Sequence, residues 1–354
     1  MGEWPDLSLP PIARTDVFPS FGPLLATMSS FSLLRLPKNE LSKVLRHMDP
    51  TTQFWFSLLT ERTKRLISVL QVFGDEITIR VETCVQIDLG SLRLNIGSSV
   101  GILEMGCKDP EDSGYFVTTN WCSPRVTPRQ WIDHCMELTD SNSIDQLSIF
   151  AYNEGFDMRA CYRNLTGLHV TKLHLNGDHL PDIQMFGSLP NVDEICFGFN
   201  LPVGPNYQRI IARNVEKFTM ENSDGAQVQL NDLLASNAWF IQLTNMSLPN
   251  RQINLFLKHW IAGSNEMLCG FVINQFNNGA GYNEAVISNG IDYQPSMEEH
   301  HGVQENNYHL HPHTRKFDIR RDDGMRATFY WELGWKRDVI NGLCCMFVWE
   351  NLED

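Results

Sequence analysis

The 354-residue sequence has no stretch of eighteen consecutive apolar residues, so nothing in it reads as a membrane-spanning helix. It is short of positive charge: 28 Lys and Arg stand against 42 Asp and Glu, a net charge of −14, the opposite of a nucleic-acid binder's basic footprint. Its nine cysteines include no CxxC pair, and residues 1–30 lack the basic-then-apolar order of a signal peptide. Reduced thiols and a cytoplasmic or nuclear location are therefore expected. Three enzyme motifs are absent too: no G-x-G-x-x-G after a strand, no Gly-Lys-Ser/Thr phosphate loop and no H-E-x-x-H. The expectation is a protein without catalytic residues, cofactor or metal.

What is present begins at Phe31. Leu41, Val44, Leu45 and Met48 fall at i, i+3, i+4 and i+7, an apolar stripe on one face of a helix. Pro37 suits the first helical position, where its missing N–H costs nothing. Asp49-Pro50 ends this helix and caps the next, and Thr60 is placed to cap a third helix carrying Leu66, Ile67 and Leu70. Three short helices cannot enclose so much apolar surface, and the surplus reads as a docking face. Residues 31–70 also carry seven basic and three acidic side chains, so this segment is basic on an otherwise acidic chain and fits a partner with acidic surface.

These forty residues resemble the F-box of nematode F-box proteins. The matching elements are Phe31 to Pro37 (Ser32 standing where Pro is usual), Val44-Leu45, Met48-Asp49-Pro50, Ser57-Leu58-Leu59 and Arg62-Thr63-Lys64. The resemblance implies binding to a Skp-type adaptor, and through it to a cullin, by Leu36, Pro37, Leu41, Val44, Leu45, Met48 and Leu59. The missing Cys/His zinc spacing excludes a RING-type ligase module within the chain.

Residues 77–103 alternate polar and apolar with period two, predicting short antiparallel strands, and a helix is expected around Trp131, Cys135 and Leu138. From 144 a weak repeat appears, with apolar residues at positions 1, 4 and 6 of each unit. Its central residues are Leu147, Leu173, Ile195, Phe218, Ile241 and Phe271, spaced 26, 22, 23, 23 and 30 apart, with helix-like segments between. A strand and a helix every 20–29 residues predicts a leucine-rich-repeat-like solenoid; an ordinary doubly wound α/β domain is the alternative. The fold expected is thus α/β: an N-terminal three-helix F-box followed by a leucine-rich-repeat-like strand/helix solenoid with short antiparallel strands at its ends. The divisions are a flexible tail over 1–30, the F-box over 31–72, antiparallel strands with a connecting helix over 77–143, and a repeat-like region over 144–354 holding a polar loop at 274–314.

Asp323-Gly324 signals a type I′ hairpin turn between Lys316–Arg320 and Met325–Phe329. This segment and Asn254–Asn265 resemble the F-box-associated domain of the same nematode proteins; taken alone, 254–261 is an amphipathic helix with Leu255 and Trp260 inward. His300, His301, His309, His311 and His313 form the one cluster with metal-ligating side chains, read here as a loop because its flanks offer no rigid shell.

The functional expectation is a substrate-recognition subunit of a Skp-adaptor/cullin/F-box ubiquitin ligase, the alternative being an adaptor-bound scaffold without a ligase role. The client would meet the outward strand positions: Phe150, Lys172, His174, Lys217, Glu221, Phe240 and Gln242, with Phe150 and Phe240 as exposed aromatic anchors.

Overall fold

The computed structural model describes residues 33–97, 102–108, 115–122, 126–150, 163–176, 191–198, 208–221, 228–246, 248–276, 282–297, 314–336 and 339–349. The chain divides into two compact units, Met1–His47 and Met48–Asp354.

The first unit holds a 3-10 turn, Leu33–Arg35, and helix α1, Lys38–Arg46. Pro37 is the cap residue of α1 and not its first helical residue: its ψ of 145° is extended while its carbonyl already accepts from Leu41 N at 2.9 Å. Leu41 and Leu45 are buried, and Val44 is exposed.

In the second unit, helices α2 (Pro50–Ser57) and α3 (Glu61–Leu70) begin where their caps place them. Asp49 accepts from Thr52 N at 2.9 Å, and Thr60 and Thr63 exchange the reciprocal bonds of a capping box. Strands β1 (Ile77–Val81), β2 (Cys84–Leu89), β3 (Leu92–Gly97), β4 (Ile102–Lys108) and β5 (Tyr115–Cys122) form an antiparallel meander. Helix α4 (Pro128–Thr139) returns the chain to the far side of β1, where β6 (Ser143–Phe150) pairs with it in parallel. Strands β7 (His169–Asn176), β8 (Asn191–Phe197), β9 (Lys217–Glu221), β10 (Phe240–Thr244) and β11 (Gly270–Phe276) add one by one, all parallel. The described helices between them are α5 (Gln208–Ile211), α6 (Leu230–Leu234) and α7 (Asn250–Ile261), with α8 (Glu284–Ile287) after β11. Strands β12 (Gln294–Pro295), β13 (Arg315–Arg320), β14 (Arg326–Lys336) and β15 (Val339–Val348) complete the sheet antiparallel, β15 lying against β11.

This overturns the expected architecture. The α/β class stands, but the three-helix F-box followed by a repeat solenoid is replaced, among the described residues, by one mixed sheet of fifteen strands, ordered β12-β13-β14-β15-β11-β10-β9-β8-β7-β6-β1-β2-β3-β4-β5. The physical reason is that a 22–30-residue spacing reports only that successive strands lie side by side in parallel. It carries no information about the edges, and here antiparallel strands continue the hydrogen bonding on both sides. Within the second unit, helices α2 and α3 are likewise not free-standing. Phe54 of α2 is fully buried, its ring 5.9 Å from Trp131 and 5.4 Å from His134 of α4 and 6.3 Å from Phe73. Ser57 Oγ meets His134 Nε2 at 2.8 Å, and Lys64 of α3 pairs with Glu137 of α4.

One unbroken apolar row crosses thirteen of the strands, from Met105 on β4 through Leu94, Ile87, Ile79, Leu147, Leu173, Ile195, Phe218, Ile241, Phe271 and Met346 to Phe329 and Phe317 on β13. Each member is at most 1% exposed. Helix α7 packs on this face, Phe256 lying 4.7 Å from Phe271. Leu255, expected inward, is 37% exposed, while Ile253, Phe256, Leu257 and Trp260 are buried. The β13–β14 connection is a three-residue loop and not a type I′ turn. Arg321 N donates to Met325 O and Gly324 N to Arg321 O, both at 2.8 Å, with Gly324 at φ 95°.

Candidate functional site

Of the expected adaptor-binding residues in the first unit, Leu36 is half-buried, Pro37 and Val44 are exposed, and Leu41 and Leu45 are buried. In the second unit Met48 is half-buried and Leu59 is 59% exposed; Val69 of α3, unremarked in the sequence, is 75% exposed. Phe54 of α2 and Ile67 of α3 are thus committed to the body, while Leu59 of the turn between these helices and Val69 of α3 lie outside it. The junction with α4 is polar as well as apolar. Burial works against the Lys64 charge, but hydrogen bonds to Glu137 and Glu61 outweigh it and hold the ammonium above its ordinary value. Burial first, and the nearby Lys64 charge second, push His134 down to about 3, so its ring is neutral at physiological pH.

The expected client residues share the sheet face opposite the apolar row. Pairing sets Lys172, Glu194, Lys217 and Phe240 in one cross-strand row, and Ser148, His174, Cys196, Thr219 and Gln242 in the next. Phe150, Lys172, His174, Lys217 and Gln242 are half-buried and Glu221 is exposed. Burial and then the Lys172 charge lower His174 to about 4. Phe240 is not an exposed anchor: it is 7% exposed, in a cluster with Val272, Tyr330, Cys345 and Phe347. Lys217 Nζ lies 5.5 Å from its ring centre. The residue opposite it on β11 is Gly270, which leaves room for the ring to lean toward Phe347, 6.4 Å away. That contact exists because β15 pairs with β11, which no local pattern announces.

A second surface was not anticipated. At the starts of β10 and β11 a recess of about 330 Å³ is lined by Asn214, Ser236, Asn237, Ala238, Gly263, Asn265, Glu266, Met267 and Leu268. Trp239, which follows Ala238, is 48% exposed, and Met267 is 68% exposed. Asn237 Nδ2 donates to Ala212 O at 3.1 Å, and Asn265 Nδ2 donates to Leu233 O at 3.1 Å and Ser236 O at 2.8 Å. Both amides spend their donors on main-chain carbonyls, which fixes their oxygens as the acceptors left over. A sequence signal did exist: Asn191, Asn214 and Asn237, spaced 23 residues apart, each precede position 1 of a strand unit.

Among the described residues no three His, Cys, Asp or Glu side chains are grouped to hold a metal ion, and no helix is long and apolar enough to cross a membrane. The histidines at 300, 301, 309, 311 and 313 lie outside the described residues.

Residues 206–273, from before α5 into β11, match the F-box associated domain family. The chain is also similar to the F-box associated domain-containing protein sdz-33 of Caenorhabditis elegans, 23% identical over 316 residues that cover 85% of this chain and 94% of that protein. No solved structure matches. The family match spans β9, β10 and α7, and the likeness to the nematode protein extends over most of both chains.

Proposed function

We propose that the chain is the substrate-recognition subunit of a Skp-adaptor/cullin/F-box ubiquitin ligase: the N-terminal helices dock a Skp-type adaptor, and the sheet presents a client protein. The F-box-associated match supports a protein-interaction role. The observation that carries the finer reading is the pair of apolar side chains exposed over residues 50–70, Leu59 and Val69, in a segment whose sequence resembles an F-box. In this reading the chain is no enzyme. It acts by tethering, which raises the client's effective concentration beside a charged conjugating enzyme.

The test is co-purification with a co-expressed Skp-type adaptor. Val44→Glu and Leu59→Glu alter exposed positions, so the sheet stays folded while adaptor capture falls at least tenfold. Undiminished capture by both variants overturns the reading. Adaptor capture without cullin-dependent loss of any client identifies the scaffold alternative instead.

A further inference from the structure

An Asn-Gly pair is a place where a chain can rearrange its own backbone, because glycine has no side chain to keep its nitrogen away from the preceding amide carbon. Two of the four such pairs in this sequence have both residues described. Asn341-Gly342 lies within β15, paired with β14 on one side and β11 on the other. Asn289-Gly290 is exposed in the turn between α8 and β12, with Gly290 at φ 67°. Neither the Asn289 side chain nor the Gly290 N–H makes a hydrogen bond among the described residues. The peptide unit joining them is polarised from two sides. Its oxygen, the Asn289 carbonyl, accepts from Asn254 Nδ2 at 3.0 Å. The Lys258 ammonium lies 3.1 Å from where a Cβ on Gly290 would stand, and it makes no ion pair or hydrogen bond among the described residues. Asn254 and Lys258 are i and i+4 on α7, so one helix face presents both groups to the turn. Each stabilises the negative charge that this peptide unit takes on when its N–H loses a proton.

We propose that Asn289 is a site of spontaneous deamidation to isoaspartate, with Asn254 and Lys258 as positioning residues that promote it. The Gly290 N–H gives its proton to solvent, and the nitrogen attacks Asn289 Cγ; ammonia leaves and a succinimide closes. Water then adds to one of the two ring carbonyls. The former main-chain carbonyl is the one polarised by Asn254, so water attacks there and the ring opens with the backbone running through Cβ and Cγ. One water is consumed and one ammonia released, with no oxidation or reduction. The freed carboxylate stays beside the Asn254 amide and the Lys258 ammonium. The product carries an extra main-chain methylene and a new negative charge between α8 and β12. Both come just ahead of buried Ile291 and of Tyr293, whose ring lies 4.8 Å from Phe317. The turn is therefore a clock set at the β12 edge of the sheet, and it runs whether or not the receptor reading holds.

The test incubates the full chain in neutral buffer beside a synthetic acetylated peptide of residues 286–293. Samples of both are read by mass spectrometry, the protein after digestion, against isoaspartyl and aspartyl standards. Asn289 of the folded protein should convert at least as fast as the peptide, and mainly to isoaspartate. Lys258→Gln should slow the conversion at least threefold, whereas Lys258→Arg, which keeps the cation, should not; circular dichroism confirms that each variant folds. If Lys258→Gln does not fold, the comparison of wild type with peptide decides alone. Asn289 left intact when half of the peptide has converted overturns the proposal, and so does an equal rate in wild type and folded Lys258→Gln.

Discussion

Replacing Phe54 by alanine tests whether helices α2 and α3 are part of the sheet body. Phe54 is fully buried and its ring has three aromatic neighbours, Trp131, His134 and Phe73, within 6.3 Å. Loss of a buried phenylalanine ring costs about 3–5 kcal/mol in transfer and cavity terms. A domain has roughly 5–15 kcal/mol in total, so a third or more of its stability is at stake. Because α4 packs on β2 and α2 on β4, the loss should be felt by the sheet. Urea unfolding of Phe54→Ala followed by far-ultraviolet circular dichroism should show the whole transition moved to lower denaturant with an unchanged slope. Leu59→Ala, at an exposed position, should move it by less than about 0.5 kcal/mol. If hydrogen exchange in Phe54→Ala rises only over residues 50–70 while the strands keep their protection, the helices are a detachable module and the packing argument fails.

Gly270→Ala places a methyl 2.5 Å from two Phe240 ring atoms, and the thermal midpoint should drop with a cost of about 1–3 kcal/mol; adding Phe240→Leu should recover part of it. His134 is held near pKa 3 in the folded state against an unfolded value near 6.5, so the unfolded chain binds the extra proton between those limits. Its contribution to stability is therefore complete above pH 6.5 and declines by about 1.4 kcal/mol per pH unit as pH falls toward 3; His134→Gln should flatten that part of the profile in denaturation curves at stepped pH. Asn254 Nδ2 donates to Ile287 O at 2.7 Å and Asn289 O at 3.0 Å. Asn254→Ala should cost about 1–3 kcal/mol and speed amide exchange around 287–289.

What could be read from the sequence follows the range of the interactions concerned. Asp49 and Thr60 are legible as caps because a cap reaches only three residues along the chain. Leu147, Leu173, Ile195, Phe218, Ile241 and Phe271 are legible as a set because parallel strands in register repeat the same local pattern. The edges of the sheet were not legible, and the solenoid expectation failed there: whether β11 meets solvent or β15 depends on residues some seventy positions later. The same contact hides Phe240, which in its own strand looks like any outward residue. Leu255 misleads because α7 turns its stripe by one position, so that Phe256 meets Phe271 instead. The recess needs β10 and β11 to start side by side, and only the 23-residue recurrence of asparagine hinted at it.

The placement of β15 between β14 and β11 has a consequence for biogenesis. A ribosome delivers β6 to β11 in the order in which they pair, so each strand can join its neighbour as it emerges. The outer edge of β11 is different: Gly270–Phe276 must wait until Val339–Val348 has been made before its hydrogen bonds are taken up. During that interval the nascent chain presents an open parallel edge carrying Phe271, Val272 and Ile273, the kind of template on which unrelated strands assemble. Chains cut short between β14 and β15 should therefore be recognised by chaperones and cleared, although they contain all fourteen of the other described strands. A frameshift in the last strand would be as damaging to this protein as one in the middle of the sheet.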